Sequence, residues 1–350
     1  MELNQKLINL VPYEPIKGEY KVRLDANESC FDLPDQLKKK ILENIGEISF
    51  NRYPDCMADI TLEAFADLYD LNKDYVTAGN GSDELISIIT SCFFEKDDVI
   101  VTMPFDFSMY SFYGSMYELN VKVFDKNEDL SIDVDKLIDF CNENKAKALI
   151  FSNPCNPTSL GLDKNEVRKI IKSLNCFVIL DEAYMDFWDQ SLLSEIEDFE
   201  NCIILKTCSK AIGLAGIRMG FAVAKEKITT ALRAAKSPYN TDSISQVIAA
   251  LVLKEKEYIK EKCNILIQNT QELYNGILEI QNKYSVFEKI YLTRTNFVFI
   301  KTDKDELIYD YLLKKSIAIR KFKGFLRINA GTEEENKELL EVLELCVQQL

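Results

Sequence analysis

Two short blocks hold residue types that can do chemistry: Asp181-Glu182-Ala183-Tyr184 and Thr207-Cys208-Ser209-Lys210. The first follows an apolar run at 176–180 and the second one at 202–205, so each sits where a buried strand is expected to end. An acid, a phenol and a lysine at strand ends are what a pyridoxal phosphate (PLP) site needs. In that reading Lys210 forms the Schiff base and, once released by substrate, carries the proton between the α-carbon and C4′ of the cofactor. Asp181 pairs with the protonated pyridine nitrogen and keeps the ring an electron sink. Tyr184, three residues on, reaches the phenolic oxygen.

Further candidates fit around these. Asn156, in Asn153-Pro154-Cys155-Asn156-Pro157-Thr158, can donate to the same phenolic oxygen. Two such donors lower the imine pKa. Gly79-Asn80-Gly81-Ser82-Asp83-Glu84 opens a helix, and first-turn N–H groups at Gly81, Ser82 and Asp83 can grip a phosphate. Thr207, Ser209 and Arg218 complete that cup. Tyr53, in Asn51-Arg52-Tyr53-Pro54, is another phenolic donor that could come from a second subunit. Phe107 is placed to stack on the pyridine ring, with Tyr110 on the substrate side. Arg327, inside the strand-like stretch 325–329, suits a bidentate grip on an α-carboxylate. Arg320 is a second cation for an anionic group at the far end of the substrate. Plainer readings exist for single residues: a helix N-cap for Asp181 and for the 79–84 block, a proline turn for Asn156, an ion pair for Arg327.

Composition narrows the field. The chain has 350 residues, 47% hydrophobic and 28% charged, enough for a large core and two domains. Its net charge of -15 argues against nucleic acid as a partner. There is no histidine, which excludes histidine bases, triads and ligands. A proton shuttle near neutral pH must then use lysine, tyrosine, cysteine or a carboxylate. The ten cysteines are scattered, several in apolar runs (Cys92, Cys176, Cys202), and no pair has CxxC spacing. They read as reduced core thiols, and no metal site is expected. No run is long enough for a membrane span, and residues 1–10 lack a secretory pattern, so a cytoplasmic location is expected.

The elements that must position these residues follow an α/β rhythm. Residues 1–30 read as an arm, strand-like at 20–24. Helices are expected at 35–44, 60–69, 82–93, 108–116, 134–142 and 164–174. Strands are expected at 99–102, 121–123, 148–151, 177–180, 203–206 and 219–224. Continuous apolar strands imply a mainly parallel sheet covered on both faces, with the ligand at the carboxyl ends. The large domain is expected to span 31–240. The smaller α+β domain is expected over 241–350, with long connecting helices at 245–280, strands at 296–300 and 325–329, and a helix at 333–349.

With these blocks in order, the chain resembles the PLP-dependent aminotransferases of fold type I, and within them the histidinol-phosphate aminotransferases. The matching segments are 22–28, 51–54, 79–84, 104–110, 153–158, 181–184, 207–220, 238–240, 295–297 and 327–336, nearly the whole chain. The resemblance implies an α/β fold, with a large domain on a mainly parallel seven-stranded sheet and a smaller α+β domain. It implies a homodimer with shared active sites, in which Tyr53 crosses to the partner's cofactor phosphate. It places Asn27 near the substrate, Arg327 on the α-carboxylate of glutamate, and Tyr13 with Arg320 on a substrate phosphate. The implied reaction moves an amino group between L-histidinol phosphate and 2-oxoglutarate, in L-histidine biosynthesis. An aromatic or broad-specificity aminotransferase is the first alternative. A phosphothreonine decarboxylase is a weaker one, because its histidine-glycine-glycine arm motif has no counterpart in a chain without histidine. Three departures stand out: Ser159 where the family usually has glycine, a short 321–326 segment, and Phe107 in place of tyrosine.

Overall fold

The apolar runs at 148–152, 177–181, 202–207 and 219–224 are buried along nearly their whole length. Only a sheet covered on both faces allows this. The computed structural model describes residues 4–349 except 9, 11 and 13, so Tyr13 lies outside the described residues. The chain order begins α1 (Gln5–Ile8), β1 (Val22–Leu24), α2 (Asp35–Gly46), α3 (Asp59–Tyr69), β2 (Val76–Asn80), α4 (Gly81–Cys92), β3 (Val99–Thr102) and α5 (Met109–Met116). It continues with β4 (Asn120–Val123), α6 (Val134–Glu143), β5 (Ala148–Ser152), α7 (Lys164–Ser173), β6 (Phe177–Asp181), β7 (Cys202–Thr207), β8 (Met219–Ala224) and α8 (Glu226–Ala235). It closes with α9 (Ser243–Leu253), α10 (Lys256–Tyr284), β9 (Lys289–Ile290), β10 (Phe297–Lys301), α11 (Asp305–Lys314), β11 (Ile317–Phe322), β12 (Phe325–Asn329) and α12 (Glu333–Val347).

The large sheet has seven strands in the order β2-β8-β7-β6-β5-β3-β4. β4, β3, β5, β6 and β7 run parallel, and β8 is antiparallel to both of its neighbours. The register sets Ser152 beside Asp181 and Asp181 beside Leu205, so the functional ends of β5, β6 and β7 lie in one row. The chain adds β4 on one side of β3 and then β5 on the other, which makes a topological switch point between β3 and β5.

The small sheet has the order β1-β11-β12-β10-β9, with β1 parallel to β11 and the other pairs antiparallel. The arm therefore supplies an edge strand to the C-terminal lobe. Val22 and Leu24 share a core there with Leu273, Ile277, Ile300 and Leu339. The lobe boundary expected at 240 is displaced. Ala249, Val252 and Leu253 on α9, and Ile259 on α10, bury in the large core with α3. The division falls inside α10, because its first turns present apolar residues to one lobe and its later turns to the other.

Ser159 stands in the left-handed region, at φ +62°, where a glycine avoids strain. Its hydroxyl compensates. The oxygen lies 2.8 Å from Thr295 Oγ1 and accepts the Arg294 N–H at 2.9 Å, tying the turn after β5 to the segment that enters β10. Cys92, expected inside, is exposed at the end of α4, while seven other cysteines are buried.

Candidate active site

The carboxyl ends of the central strands open into a cavity of about 370 Å³ that is closed on its far side by the small lobe. One end is built by a close approach of β8 to the start of α4. A Cβ on Gly220 would lie 2.4 Å from the Ser82 nitrogen and 2.5 Å from the Gly81 carbonyl carbon, so only glycine fits. Gly81 has φ +77°, and a Cβ there would meet Arg218 Nη2 at 2.8 Å. Arg218 donates to Asp83 Oδ2 at 3.2 Å and to Ser209 Oγ at 3.3 Å, and Thr207 Oγ1 lies 3.0 Å from the same Ser209 oxygen. Ser82, Asp83, Thr207, Ser209 and Arg218 thus meet at one end, at a helix N-terminus. Gly81 backs this cup without lining the cavity.

Asp181 ends β6 on the cavity floor and is 4% exposed. Its Oδ2 accepts the Tyr110 hydroxyl at 2.8 Å and its Oδ1 accepts the Ala183 N–H at 3.0 Å. Burial pushes its pKa up to about 6, with a smaller push from the Asp106 and Asp83 charges, against the pull of those two hydrogen bonds. Tyr110 is fully buried and lines the cavity beside the acid to which its hydroxyl donates. Phe107 lines the cavity and meets the Tyr110 ring edge-on at 5.6 Å.

Lys210 Nζ reaches the cavity and donates to the Ala26 carbonyl at 3.2 Å, beside the face of the Tyr184 ring. The Tyr184 hydroxyl accepts from Asn27 Nδ2 at 2.9 Å. Asn27 is 1% exposed, and its Oδ1 is buried with no hydrogen-bond partner among the described residues. Asn156 offers its amide oxygen to Arg327 Nη1 at 2.5 Å, which leaves its NH₂ as the end that can donate into the cavity. Arg327, 8% exposed, also donates to the Asp25 carbonyl at 2.8 Å and lies over the Phe297 ring. Arg320 is its direct register partner across β11 and β12. Opposed residues share a face, and both arginines line the cavity.

Tyr53 stands apart. It is 80% exposed, stacks on Tyr239 at 4.5 Å and does not line the cavity of its own chain. The structure adds residues to which sequence reasoning gave no role: Asp25, Asp106, Ser108 and Ser152 line the cavity. Asp106 carried a signal, a lone acid between two phenylalanines just past a strand.

The family model for aminotransferase class I and II matches residues 19–343. A histidinol-phosphate aminotransferase of Clostridium novyi (strain NT) is 39% identical over 334 residues, 94% of this chain and 92% of that protein. One from Pyrococcus furiosus is also 39% identical, over 97% of this chain and 96% of its own length. The chain belongs to the histidinol-phosphate aminotransferase family. In its fold this aminotransferase is similar to the crystal structure of a Sinorhizobium meliloti histidinol-phosphate aminotransferase in complex with pyridoxal-5'-phosphate. The TM-score is 0.85 at 21% identity, covering 95% of this chain and 92% of that one. It is a fold type I, PLP-dependent aminotransferase. The cavity of this aminotransferase suits that cofactor on its own chemistry: a glycine-made phosphate cradle at one end, a buried acid on the floor, a lysine on the wall, and an orphaned acceptor at Asn27 Oδ1.

Proposed function

We propose that this aminotransferase moves an amino group reversibly between L-histidinol phosphate and 2-oxoglutarate, giving imidazole-acetol phosphate and L-glutamate, as a step of L-histidine biosynthesis in the cytoplasm. PLP would be held at its phosphate by the N–H groups of Gly81, Ser82 and Asp83, by Thr207, Ser209 and Arg218, and by Tyr53 of a second subunit in a homodimer. Asp181 would hold the pyridine nitrogen, Phe107 the ring face, and Asn156 with Tyr184 the phenolic oxygen. When bound, the cofactor supplies a carbonyl carbon for the substrate amine and a ring that withdraws electrons from the α-carbon.

The residues do the rest. Asp181 keeps the ring nitrogen protonated once paired with it. Lys210 Nζ would carry the proton to and from the substrate α-carbon. Tyr184, held through Asn27, and Asn156, held through Arg327, fix the ring oxygen. Arg327 grips the carboxylate of glutamate, and Arg320, with Tyr13, takes the phosphate of histidinol phosphate.

The observation that carries this reading is the pairing of Arg320 with Arg327 on one face of β11–β12, both lining the cavity. Two anchors on a rigid ladder suit alternating substrates, one with a carboxylate and one with a phosphate ester. Product analysis of the cofactor-loaded enzyme tests it. L-histidinol phosphate and 2-oxoglutarate should yield imidazole-acetol phosphate and glutamate, and Arg320→Ala should raise KM for histidinol phosphate far more than for glutamate. Phe322 beside these arginines favours one second reading, an aromatic aminotransferase. It would be preferred if phenylalanine is transaminated and histidinol phosphate is inert.

A further inference from the structure

β3 and β5 flank the switch point, and their pairing is short: Ile100 with Ala148 and Val101 with Leu149. β5 runs on to Ser152 beyond that ladder, and the loops at 103–108 and 153–158 follow the two strands. One of these loops presents Phe107 and the other Asn156. Cys155 Sγ, donating to the Phe105 carbonyl at 3.1 Å, and Lys126 join them on one side, and Asp106 joins them at the sheet end. Asp106 Oδ2 accepts the Ser152 backbone N–H at 3.2 Å, the kind of bond a continuing ladder would have made. Asp106 Oδ1 accepts the Phe107 N–H at 2.7 Å and also the Ser152 hydroxyl. Ser152 Oγ in turn accepts the Asn156 N–H at 3.2 Å.

The carboxylate sits in a defined electrostatic setting. Lys126, from the loop after β4, donates to the Phe105 carbonyl at 2.9 Å and supplies the nearby positive charge. Cys155, Tyr110 and Asp181 face it from the turn after β5, from α5 and from β6. Burial raises the Asp106 pKa, and Lys126 with the Ser152 and Phe107 bonds pulls it back. The acid also lines the cavity, yet its oxygens accept from the Phe107 N–H and from the N–H and hydroxyl of Ser152.

We propose that Asp106 is a positioning residue: across the crevice between β3 and β5, it holds the backbone of Phe107 directly and that of Asn156 through Ser152, and so fixes the ring-stacking face and the phenolic-oxygen donor relative to each other. The inference rests on the PLP reading above. It assigns to this acid no contact with substrate and no proton transfer.

The test is spectroscopic, on holoenzyme. The readout is the pH midpoint at which the bound cofactor's visible absorbance changes, with melting temperature recorded alongside. A donor on the phenolic oxygen lowers that midpoint, so a misplaced Asn156 raises it. Ser152→Ala cuts the relay without changing charge and should raise the midpoint by about half a unit or more. Ser152→Thr keeps the hydroxyl and should restore it. Asp106→Asn should loosen PLP binding severalfold. A Ser152→Ala midpoint equal to wild type, with only a lower melting temperature, would reduce the network to a structural staple and overturn the proposal. A lowered midpoint in Asp106→Asn, with Ser152→Ala unchanged, would mean the acid acts by charge alone, which also overturns it. Wild-type protein that shows no visible band with PLP would instead remove the cofactor reading on which the proposal stands.

Discussion

Asp181 ionises late because the sheet end around it is dry, and one hydroxyl and one peptide N–H do not replace water. The folded chain therefore binds this proton more tightly than the unfolded chain. The group's contribution to stability is complete below its ordinary pKa of 3.8 and is lost as pH rises through about 6. For cofactor-free protein the loss is on the order of 2–3 kcal/mol. Asp181→Asn without cofactor should melt higher than wild type at pH 7.5, and the two should converge near pH 4. Melting curves across that range check it; a constant difference would contradict it. At this scale the sequence was informative about residues that follow apolar runs, Lys210 and Asp181 above all, because a strand end fixes where they emerge. It was silent on contacts made at a distance. Asp106 finds Ser152 46 positions away, and nothing local signals that bond.

The cup at the start of α4 depends on how closely two elements approach. Gly220 on β8 touches the α4 backbone itself, so a methyl group there has no flexible neighbour to displace. Gly220→Ala should cost about 1–3 kcal/mol of stability. It should also weaken PLP binding at least tenfold, by moving the first-turn N–H groups away from Arg218. Fluorescence titration with PLP reads the second effect, and unchanged affinity would refute the role given to this approach. The strands with long apolar runs, β5 to β8, were legible because burial on both faces leaves few polar positions, Lys206 on β7 being buried only through its pairing with Asp186. β2 was not, since its five residues end in Gly79-Asn80 and read as the loop they lead into. β11 was also passed over, because the charges at Arg320 and Lys321 interrupt its apolar pattern just where it becomes functional. The helix pair α9 and α10 was foreseen, but its lobe assignment was not: amphipathic spacing marks a buried face without naming the core that buries it.

At the scale of the whole molecule, every candidate cofactor residue except Tyr53 and Gly81 lines the cavity of its own chain. Tyr53 lies exposed on its own subunit, stacked on Tyr239, which is the position expected of a group offered to a neighbour. If sites are shared, mixing Lys210→Ala with Tyr53→Ala subunits should create hybrid dimers with one intact site and more activity than the two parents combined. Parents that regain nothing on verified subunit exchange would place Tyr53 outside the site. The division of labour between lobes leads to the central claim, that the large lobe holds the cofactor while two opposed arginines of the small lobe accept a phosphorylated amine. The most direct measurement is a half-reaction: cofactor-loaded enzyme mixed with L-histidinol phosphate alone, followed by absorbance. The account predicts rapid loss of the visible band with release of imidazole-acetol phosphate, recovery of the band on adding 2-oxoglutarate, and a much slower change with L-histidinol. An unchanged spectrum with histidinol phosphate, alongside ready conversion by phenylalanine, would contradict it.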